Sequence, residues 1–309
     1  MSPAASTTVD VEVAGRQLKL SNIDKILYPE TGFTKGQVID YYTRVAPALT
    51  RHLHRRPLTL KRYPNGVDGK FFYEKNCPSH RPPWVETVAI WSPHNNDHVN
   101  YCLIEDLPGV VWVANLAALE LHPSLSRAAD IERPTMVVFD LDPGPPAAMV
   151  ECARVALWLR EVFERLGLES VPKTSGSKGL QIYVPLNTPV TYDDTKPFAH
   201  ALARLLESRH PESVVSLMKK ELRTGKVFID WSQNDSAKTT VGVYSLRARP
   251  RPTVSTPVRW EEVERVAESG DPSTLVFEAG AVLERLAADG DLFAATLELE
   301  QGVPRLPAA

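Results

Sequence analysis

The chain contains 309 residues, of which 43% are hydrophobic, so it is long and apolar enough to form one large domain or two. Its formal net charge of −3 argues against a nucleic-acid partner. Basic residues nevertheless cluster in 51–75 and 216–251, and acidic residues in 260–309. Because phosphate attraction acts locally and is screened beyond about 10 Å, this distribution is compatible with DNA binding, with ordinary solvated faces as the alternative.

The N-terminus and the cysteines indicate where the protein is found. The first residues, MSPAASTTVD, lack the basic and apolar regions of a signal peptide, and no apolar run approaches the roughly 18 residues of a membrane span. Cys77, Cys102 and Cys152 have no metal-like spacing and are odd in number, so a disulfide framework is not expected. We therefore expect a soluble cytoplasmic protein.

The predicted elements begin with a hairpin. Residues 1–8 are small and polar and are expected to be disordered, whereas Val9 to Leu20 alternates along its length and turns at Ala14-Gly15. Thr34 is a typical N-cap for a helix that reaches Val45. The remaining patterns predict strands at 58–61, 135–144 and 241–246, helices at 109–121, 149–166, 195–208, 257–267 and 273–287, and a flexible tail at 301–309.

The stretch Thr135 to Gly144, TMVVFDLDPG, predicts a strand buried on both faces and ended by Pro-Gly. Since side chains on a strand alternate, Asp140 and Asp142 point to the same side. Two carboxylates held this close favour a divalent cation, and phosphoryl-transfer enzymes use such pairs to hold two metals. The alternative is that Asp-Pro-Gly merely forms a turn.

Two later stretches add to this pair. Lys173 to Leu186, KTSGSKGLQIYVPL, is a glycine-rich loop that leads into a strand, and its backbone N–H groups together with Lys178 suit a nucleotide phosphate. A mobile polar hairpin is the alternative. Gly225 to Asn234, GKVFIDWSQN, places Asp230 among large apolar neighbours, where a carboxylate is costly unless paired or metal-bound. Asp230 is therefore the predicted third ligand.

In this order and spacing, DLDP, SGSKGLQIY and KVFIDWSQN resemble the catalytic motifs of the polymerase domain of bacterial ligase D, in the archaeo-eukaryotic primase superfamily. The resemblance extends from SNIDKILYP at Ser21 through AALELH at Ala117 to KTTVGVYSLRAR at Lys238, and covers roughly residues 20 to 295. It implies an α/β, primase-polymerase-like core with two β-sheets flanked by helices, formed by 9–300 as a single domain. Strands alternating with helices favour the same class independently.

The resemblance also implies roles for individual residues. Two Mg²⁺ or Mn²⁺ ions would be held by Asp140, Asp142 and Asp230. The nucleotide would be bound by His122, Ser175, Ser177, Lys178, Gly179, Gln233, Lys238 and Arg247. A downstream 5′-phosphate would be bound by Asn22, Lys25 and Lys35, and other DNA contacts would be made by Lys61, Arg62, Phe72, Tyr73 and Arg223. From its pattern alone, Phe71 is predicted to pack in the core.

The function implied by the resemblance is a template-directed nucleotidyltransferase that fills gaps and extends broken DNA ends before ligation, with ribonucleotides favoured. Its partners would be gapped or broken DNA, nucleoside triphosphates, a Ku-type end-binding protein and a DNA ligase, with no membrane, and it would act at the nucleoid. Two alternatives stay open. One is a stand-alone primase-polymerase that starts chains without a primer, and the other is a non-catalytic DNA end-binding or synapsis module.

Overall fold

Two five-stranded β-sheets form the framework of the computed structural model, which describes residues 7–93 and 95–304. The strands are β1 Thr8–Val13, β2 Arg16–Ser21, β3 Ile26–Tyr28, β4 Phe33–Thr34, β5 Leu58–Arg62, β6 Phe72–Glu74, β7 Thr87–Ser92, β8 Asp97–Cys102, β9 Ala118–Pro123, β10 Ser126–Arg127, β11 Asp130–Pro134, β12 Met136–Pro143, β13 Val171–Thr174, β14 Leu180–Pro185, β15 Val214–Val215 and β16 Val227–Asp230. The α-helices in these ranges are α1 Lys35–Leu53, α2 Leu107–Asn115, α3 Met149–Arg165, α4 Tyr192–Arg209, α5 Trp260–Ser269, α6 Ala279–Asp289 and α7 Ala295–Glu298.

The first sheet has the order β6-β5-β8-β7, with β9 also paired to β5, and the second has the order β13-β14-β12-β16-β15. Three two-stranded pairs, β1-β2, β3-β4 and β10-β11, lie outside them. The predicted α/β class with two sheets flanked by helices is confirmed. None of the helices within the described ranges is long and apolar enough to cross a membrane.

Strand β12 lies between two apolar cores. Val137, Phe139 and Leu141 pack into the core that contains α3 and α4, whereas Met136 and Val138 pack into the core that contains α1 and the first sheet. The prediction of a strand buried on both faces is confirmed. Since alternate residues share a face, the even-numbered acids after Val138 point toward the first sheet.

Several predicted elements are present where the sequence places them. The hairpin β1-β2 turns at residues 14–15, and helices α3 and α4 cover the predicted ranges to within a few residues. Thr34 caps α1 by accepting a hydrogen bond from the backbone N–H of Gln37, whose side chain accepts one from the backbone N–H of Thr34. Gly167 follows α3 at φ +69°, as expected for a residue just past a helix end.

Three predictions about local structure are wrong. Instead of one helix over 109–121, the chain forms α2, reverses at Ala117 with φ +56°, and continues as β9, because pairing with β5 satisfies its backbone along both strands. The predicted strand 241–246 makes only an isolated bridge between Leu246 and Val254. Cys77 and Cys102 form a disulfide, with Cα atoms 5.1 Å apart, because pairing in the first sheet brings together residues 25 apart in sequence.

The ends of the chain are described in part. Residues 1–6 and 305–309 lie outside the described residues. Thr8 begins β1, and the backbone N–H of Gln301 donates to the carbonyl of Leu186 at 2.8 Å. The side chain of Gln301 also donates to the carbonyl of Glu169. The segment after α7 is therefore held against the second sheet as far as Gln301.

Candidate active site

The three predicted acids lie on one face of the second sheet. Asp140 and Asp142 are two residues apart on β12, and Asp230 on β16 is directly opposite Asp140 in the antiparallel register. Burial, and then the charge of Asp142, raise the pKa of Asp140, while burial and the charge of Asp230 raise the pKa of Asp142. The cost of these like charges is relieved by a divalent cation, and carboxylate oxygens are the ligands that Mg²⁺ and Mn²⁺ prefer.

The carboxylate of Asp230 has other partners. It accepts hydrogen bonds from the backbone N–H of Ser232 at 3.0 Å and from the side-chain amide of Gln233 at 2.8 Å. In the part of the chain that the structure describes, no three His, Cys, Asp or Glu side chains lie together at ligand spacing. Three ionised carboxylates repel one another, which opposes convergence of their side chains. The assignment of Asp230 as a third ligand stays a prediction.

The glycine-rich loop between β13 and β14 is fixed by its own hydrogen bonds. The side chain of Ser175 accepts from the backbone N–H groups of Ser177 and Gly179, each at 3.2 Å. A Cβ at Gly179 would lie 1.9 Å from the carbonyl oxygen of Leu141 on β12, so only glycine allows this close approach. The loop is therefore packed against the strand that carries Asp140 and Asp142.

A cavity of about 520 Å³ lies between this loop and the acids. It is lined by all eight residues predicted to bind a nucleotide, together with Asp140 and Asp142 and the aromatic ring of Tyr73. The eight are His122, Ser175, Ser177, Lys178, Gly179, Gln233, Lys238 and Arg247. Asp230 does not line the cavity, but its carboxylate accepts a hydrogen bond from Gln233, which does. A volume of this size is in the range of sites for small ligands.

Glu120 on β9 is a functional candidate that the sequence reasoning missed. It is 2% exposed, and its carboxylate oxygens lie 2.9 Å from His122 Nε2, 3.5 Å from Arg247 Nε and 3.5 Å from Lys61 Nζ. Although burial opposes it, hydrogen bonding to His122 and the nearby cations lower the pKa of Glu120 to about 2. The motif AALELH contains this residue between two apolar positions, which is the signal that was available.

Lys173 at the end of β13 was also missed. Its fully buried ammonium donates to Ser255 Oγ at 2.6 Å, to the carbonyl of Val241 at 3.2 Å and to the side chain of Gln181. Gln181 lies opposite Asp140 in the sheet. Burial lowers the pKa of Lys173, and the charge of Asp140 opposes that shift. Lys173 is therefore a buried basic group close to Asp140, and its protonated form would offset the charge of that acid.

The predicted 5′-phosphate residues line a second cavity, of about 580 Å³. Lys35 Nζ donates to the backbone carbonyl of Ser21 at 2.6 Å, and Lys25 Nζ donates to the side chain of Asn65 at 2.9 Å. Burial, and then the charges of Lys25 and Arg62, lower the pKa of Lys35 to about 8. Further lining residues, which the sequence reasoning did not include, are Gln17, Lys19, His80 and Asn115.

The second cavity is lined by several basic side chains, which suit an anion. Asn22, Lys25, Lys35 and Arg62 all line it, and the only acid paired with any of these cations in the described residues is Glu74, 2.9 Å from Arg62 Nη1. Three cations sharing one pocket repel one another unless an anion binds between them. Arg62, predicted to contact DNA, thus lies in the same pocket as the three residues predicted to hold the phosphate.

Aromatic side chains lie between the two cavities. Phe71 is 52% exposed and stacks on Tyr63 at 5.3 Å between ring centroids, so the prediction that it packs in the core is wrong, because the turn between β5 and β6 holds it at the surface. Phe72 and Tyr73 are also exposed. Lys61 Nζ lies 4.5 Å from the centroid of the Phe71 ring. Exposed rings beside cations suit stacking on unpaired bases.

Arg223 lies at the end of a short 3-10 helix, Lys220–Arg223. Its guanidinium sits 3.7 Å over the ring of Phe228 on β16 and donates to the carbonyl of Met218. The positive charge of Arg223 opposes the upward shift of the Asp142 pKa. The structure therefore places this predicted DNA contact near the acids, against β16 of the second sheet.

An acidic sheet face, a glycine-rich loop and a basic cavity thus lie together on a mixed α/β fold. The model of the LigD primase-polymerase domain family matches residues 34–293. The chain therefore belongs to the LigD primase-polymerase domain family, and the family predicted from the three motifs is confirmed.

Two relatives and one solved structure show how far the similarity extends. The chain is 42% identical, over 90% of its length, to the multifunctional non-homologous end joining protein LigD of Mycolicibacterium smegmatis, and 30% identical, over 89%, to the bifunctional LigD of Bacillus subtilis. It spans 36% and 43% of the lengths of these proteins. The polymerase domain of Mycobacterium tuberculosis ligase D in complex with DNA aligns with 91% of this chain and 98% of that chain, at a TM-score of 0.84 and 41% identity.

Proposed function

We propose that this chain is a template-directed, metal-dependent nucleotidyltransferase that fills gaps and extends ends at broken DNA in non-homologous end joining. The observation that carries the proposal is the cavity in which Asp140 and Asp142 face the eight predicted nucleotide-binding residues. The names of the relatives, and the DNA bound in the similar solved structure, support the reaction and the substrate.

Asp140 and Asp142, with Asp230 on the same face, would hold two Mg²⁺ or Mn²⁺ ions. When bound, such ions lower the pKa of an attacking hydroxyl and neutralise a departing pyrophosphate. Lys178 and Arg247, which line the cavity beside the glycine-rich loop, would orient the triphosphate. Lys173 balances the charge of Asp140 from behind. Tyr73 also lines the cavity, and its exposed ring would pack near the template.

The second cavity favours a break-repair enzyme over a polymerase that starts chains without a primer. Its shared cations Lys25, Lys35 and Arg62 suit a terminal phosphate, and a gap in DNA presents such a phosphate on its downstream strand. A Ku-type end-binding protein and a DNA ligase are the proposed partners, supported by the end-joining names of the relatives. A preference for ribonucleotides is part of the same proposal.

The test is an incubation with labelled nucleotide and Mn²⁺ on two substrates, a gapped duplex with a downstream 5′-phosphate and a bare single-stranded template. We expect addition to the primer of the gapped duplex and no dinucleotide from bare template. Dinucleotide formed from bare template would support the primase-polymerase. Binding to the gapped duplex without nucleotide addition would support a non-catalytic end-binding module.

A further inference from the structure

The buried carboxylate of Glu120 contacts a cluster of basic side chains, Arg247, Lys61 and His122, at the nucleotide cavity. A negative charge at this position opposes phosphate binding. The Glu120 oxygens face Arg247, Lys61 and His122 at 2.9 to 3.5 Å. His122 and Arg247 line the cavity, whereas Glu120 does not. Any effect of Glu120 on a bound nucleotide therefore acts through the side chains that it holds.

Arg247 is contacted at one end of its guanidinium by Glu120 and at the other end by the glycine-rich loop. One carboxylate oxygen lies 3.5 Å from Arg247 Nε and also accepts a hydrogen bond from the backbone N–H of Ala248 at 3.1 Å. At its other end, Arg247 Nη1 donates to the carbonyl of Ser175 in the glycine-rich loop at 3.0 Å. Arg247 thus lies between the buried carboxylate, with which its Nε forms an ion pair and no hydrogen bond, and the loop that would hold the phosphates.

The same carboxylate sets the charge of the cluster. Arg247 and Lys61 carry one positive charge each and Glu120 carries one negative charge, while burial lowers the pKa of His122 against the opposing effect of Glu120. Glu120 therefore cancels one of the two positive charges of Arg247 and Lys61 beside a cavity that Lys75, Lys178 and Lys238 also line. A cluster with two free cations would hold the triphosphate more tightly, and it would also hold the pyrophosphate that is formed.

We propose that Glu120 is a positioning residue that fixes Arg247 and limits the positive charge of the nucleotide cavity, so that pyrophosphate leaves after transfer. This role rests on the proposed nucleotidyltransferase function. It predicts that a variant with tighter polyphosphate binding turns over more slowly. Removing the charge of Glu120 while keeping its shape should strengthen polyphosphate binding and slow the cycle, whereas removing the side chain should weaken binding because Arg247 loses an anchor.

The experiment compares Glu120→Gln and Glu120→Ala with the unmutated protein in binding inorganic pyrophosphate, measured by calorimetry, and in nucleotide KM, kcat and pyrophosphate inhibition. Near a polyphosphate, one unit of charge in a partly buried site is worth about tenfold in affinity. We expect Glu120→Gln to bind pyrophosphate about tenfold more tightly, with a lower KM and a lower kcat. Glu120→Ala should bind it more weakly than the unmutated protein.

A double substitution protects the test against misfolding. Lys61→Met combined with Glu120→Gln returns the cluster to one positive charge, so its pyrophosphate affinity should match that of the unmutated protein within a few fold. The matched control is Glu262→Gln, which alters an ion pair with Arg285 between α5 and α6, away from the cavity. It should lower thermal stability and leave pyrophosphate binding unchanged.

Three results would overturn the role of Glu120. The first is that Glu120→Gln binds pyrophosphate no more tightly than the unmutated protein. The second is that kcat and KM of Glu120→Gln are both unchanged. The third is that the double variant binds pyrophosphate no better than Glu120→Ala. Pyrophosphate binding by the unmutated protein is measured without nucleotide addition. A failure of the proposed polymerase reaction is therefore seen separately, as normal pyrophosphate binding with no product.

Discussion

Lys35 allows the phosphate pocket to be tested through its pH dependence. Burial and the charges of Lys25 and Arg62 lower its pKa to about 8. A terminal phosphate is a dianion at pH 7 and above, and it favours the protonated form of Lys35. The free protein loses this proton as the pH rises through about 8, while the complex retains it, so binding above pH 8 must take up a proton. Affinity for the phosphate should therefore fall by up to about tenfold per pH unit above pH 8.

At pH 7 Lys35 is protonated, and charge-assisted hydrogen bonds to a phosphate are worth about 1.5 to 3 kcal/mol each before desolvation. The net advantage of a gap with a 5′-phosphate over a gap with a hydroxyl should thus be about tenfold or more at pH 7, and close to one at pH 9. Fluorescence anisotropy with both labelled duplexes at pH 7, 8 and 9 and constant ionic strength measures this advantage.

Two variants serve as controls for this prediction. Lys35→Arg keeps its charge throughout this range, so its phosphate advantage should stay constant with pH. Lys25→Ala combined with Lys35→Ala should remove the advantage and leave binding to the hydroxyl gap little changed. Equal affinity of the unmutated protein for both gaps at pH 7, or an advantage that does not decline by pH 9, would refute the assignment of this pocket to a phosphate.

Three further predictions concern the metal site, the sugar and the disulfide. Asp140→Ala or Asp142→Ala should remove nearly all nucleotide addition and leave DNA affinity within a few fold, as gel-shift and extension assays on the same preparations would show. Single-turnover rates should be at least as high with ribonucleotides as with deoxynucleotides, and a deoxy preference above about tenfold, or about 1.4 kcal/mol, would contradict this. Thiol titration of the unreduced, unfolded protein should detect Cys152 alone, and Cys77→Ser should lower the free energy of unfolding by about 3 to 4 kcal/mol for a loop of this length.

The features predicted correctly from sequence depend on short-range periodicity. The period of two along β12 places Asp140 and Asp142 on one face, and the capping pattern at Thr34 and Gln37 starts α1. The prediction for β9 is wrong because ALELHP fits either a helix or a strand, and the choice is made by pairing with β5, about 60 residues earlier. Such non-local pairing leaves no periodic signal in the segment itself.

Two site residues were missed for the same reason, which is that their partners are distant in sequence. Glu120 on β9 lies directly opposite Lys61 on β5, a residue that was predicted as a DNA contact, and Lys173 donates a hydrogen bond to Ser255, 82 residues away in sequence. Each is a charged side chain that is costly to bury alone and inexpensive once its partner is in place. The partner is visible only in the folded chain, so a sequence shows the acid or the lysine and not the reason for its burial. The side chains predicted to bind a nucleotide follow from motifs, whereas the buried charges that contact them follow from the way distant strands pair.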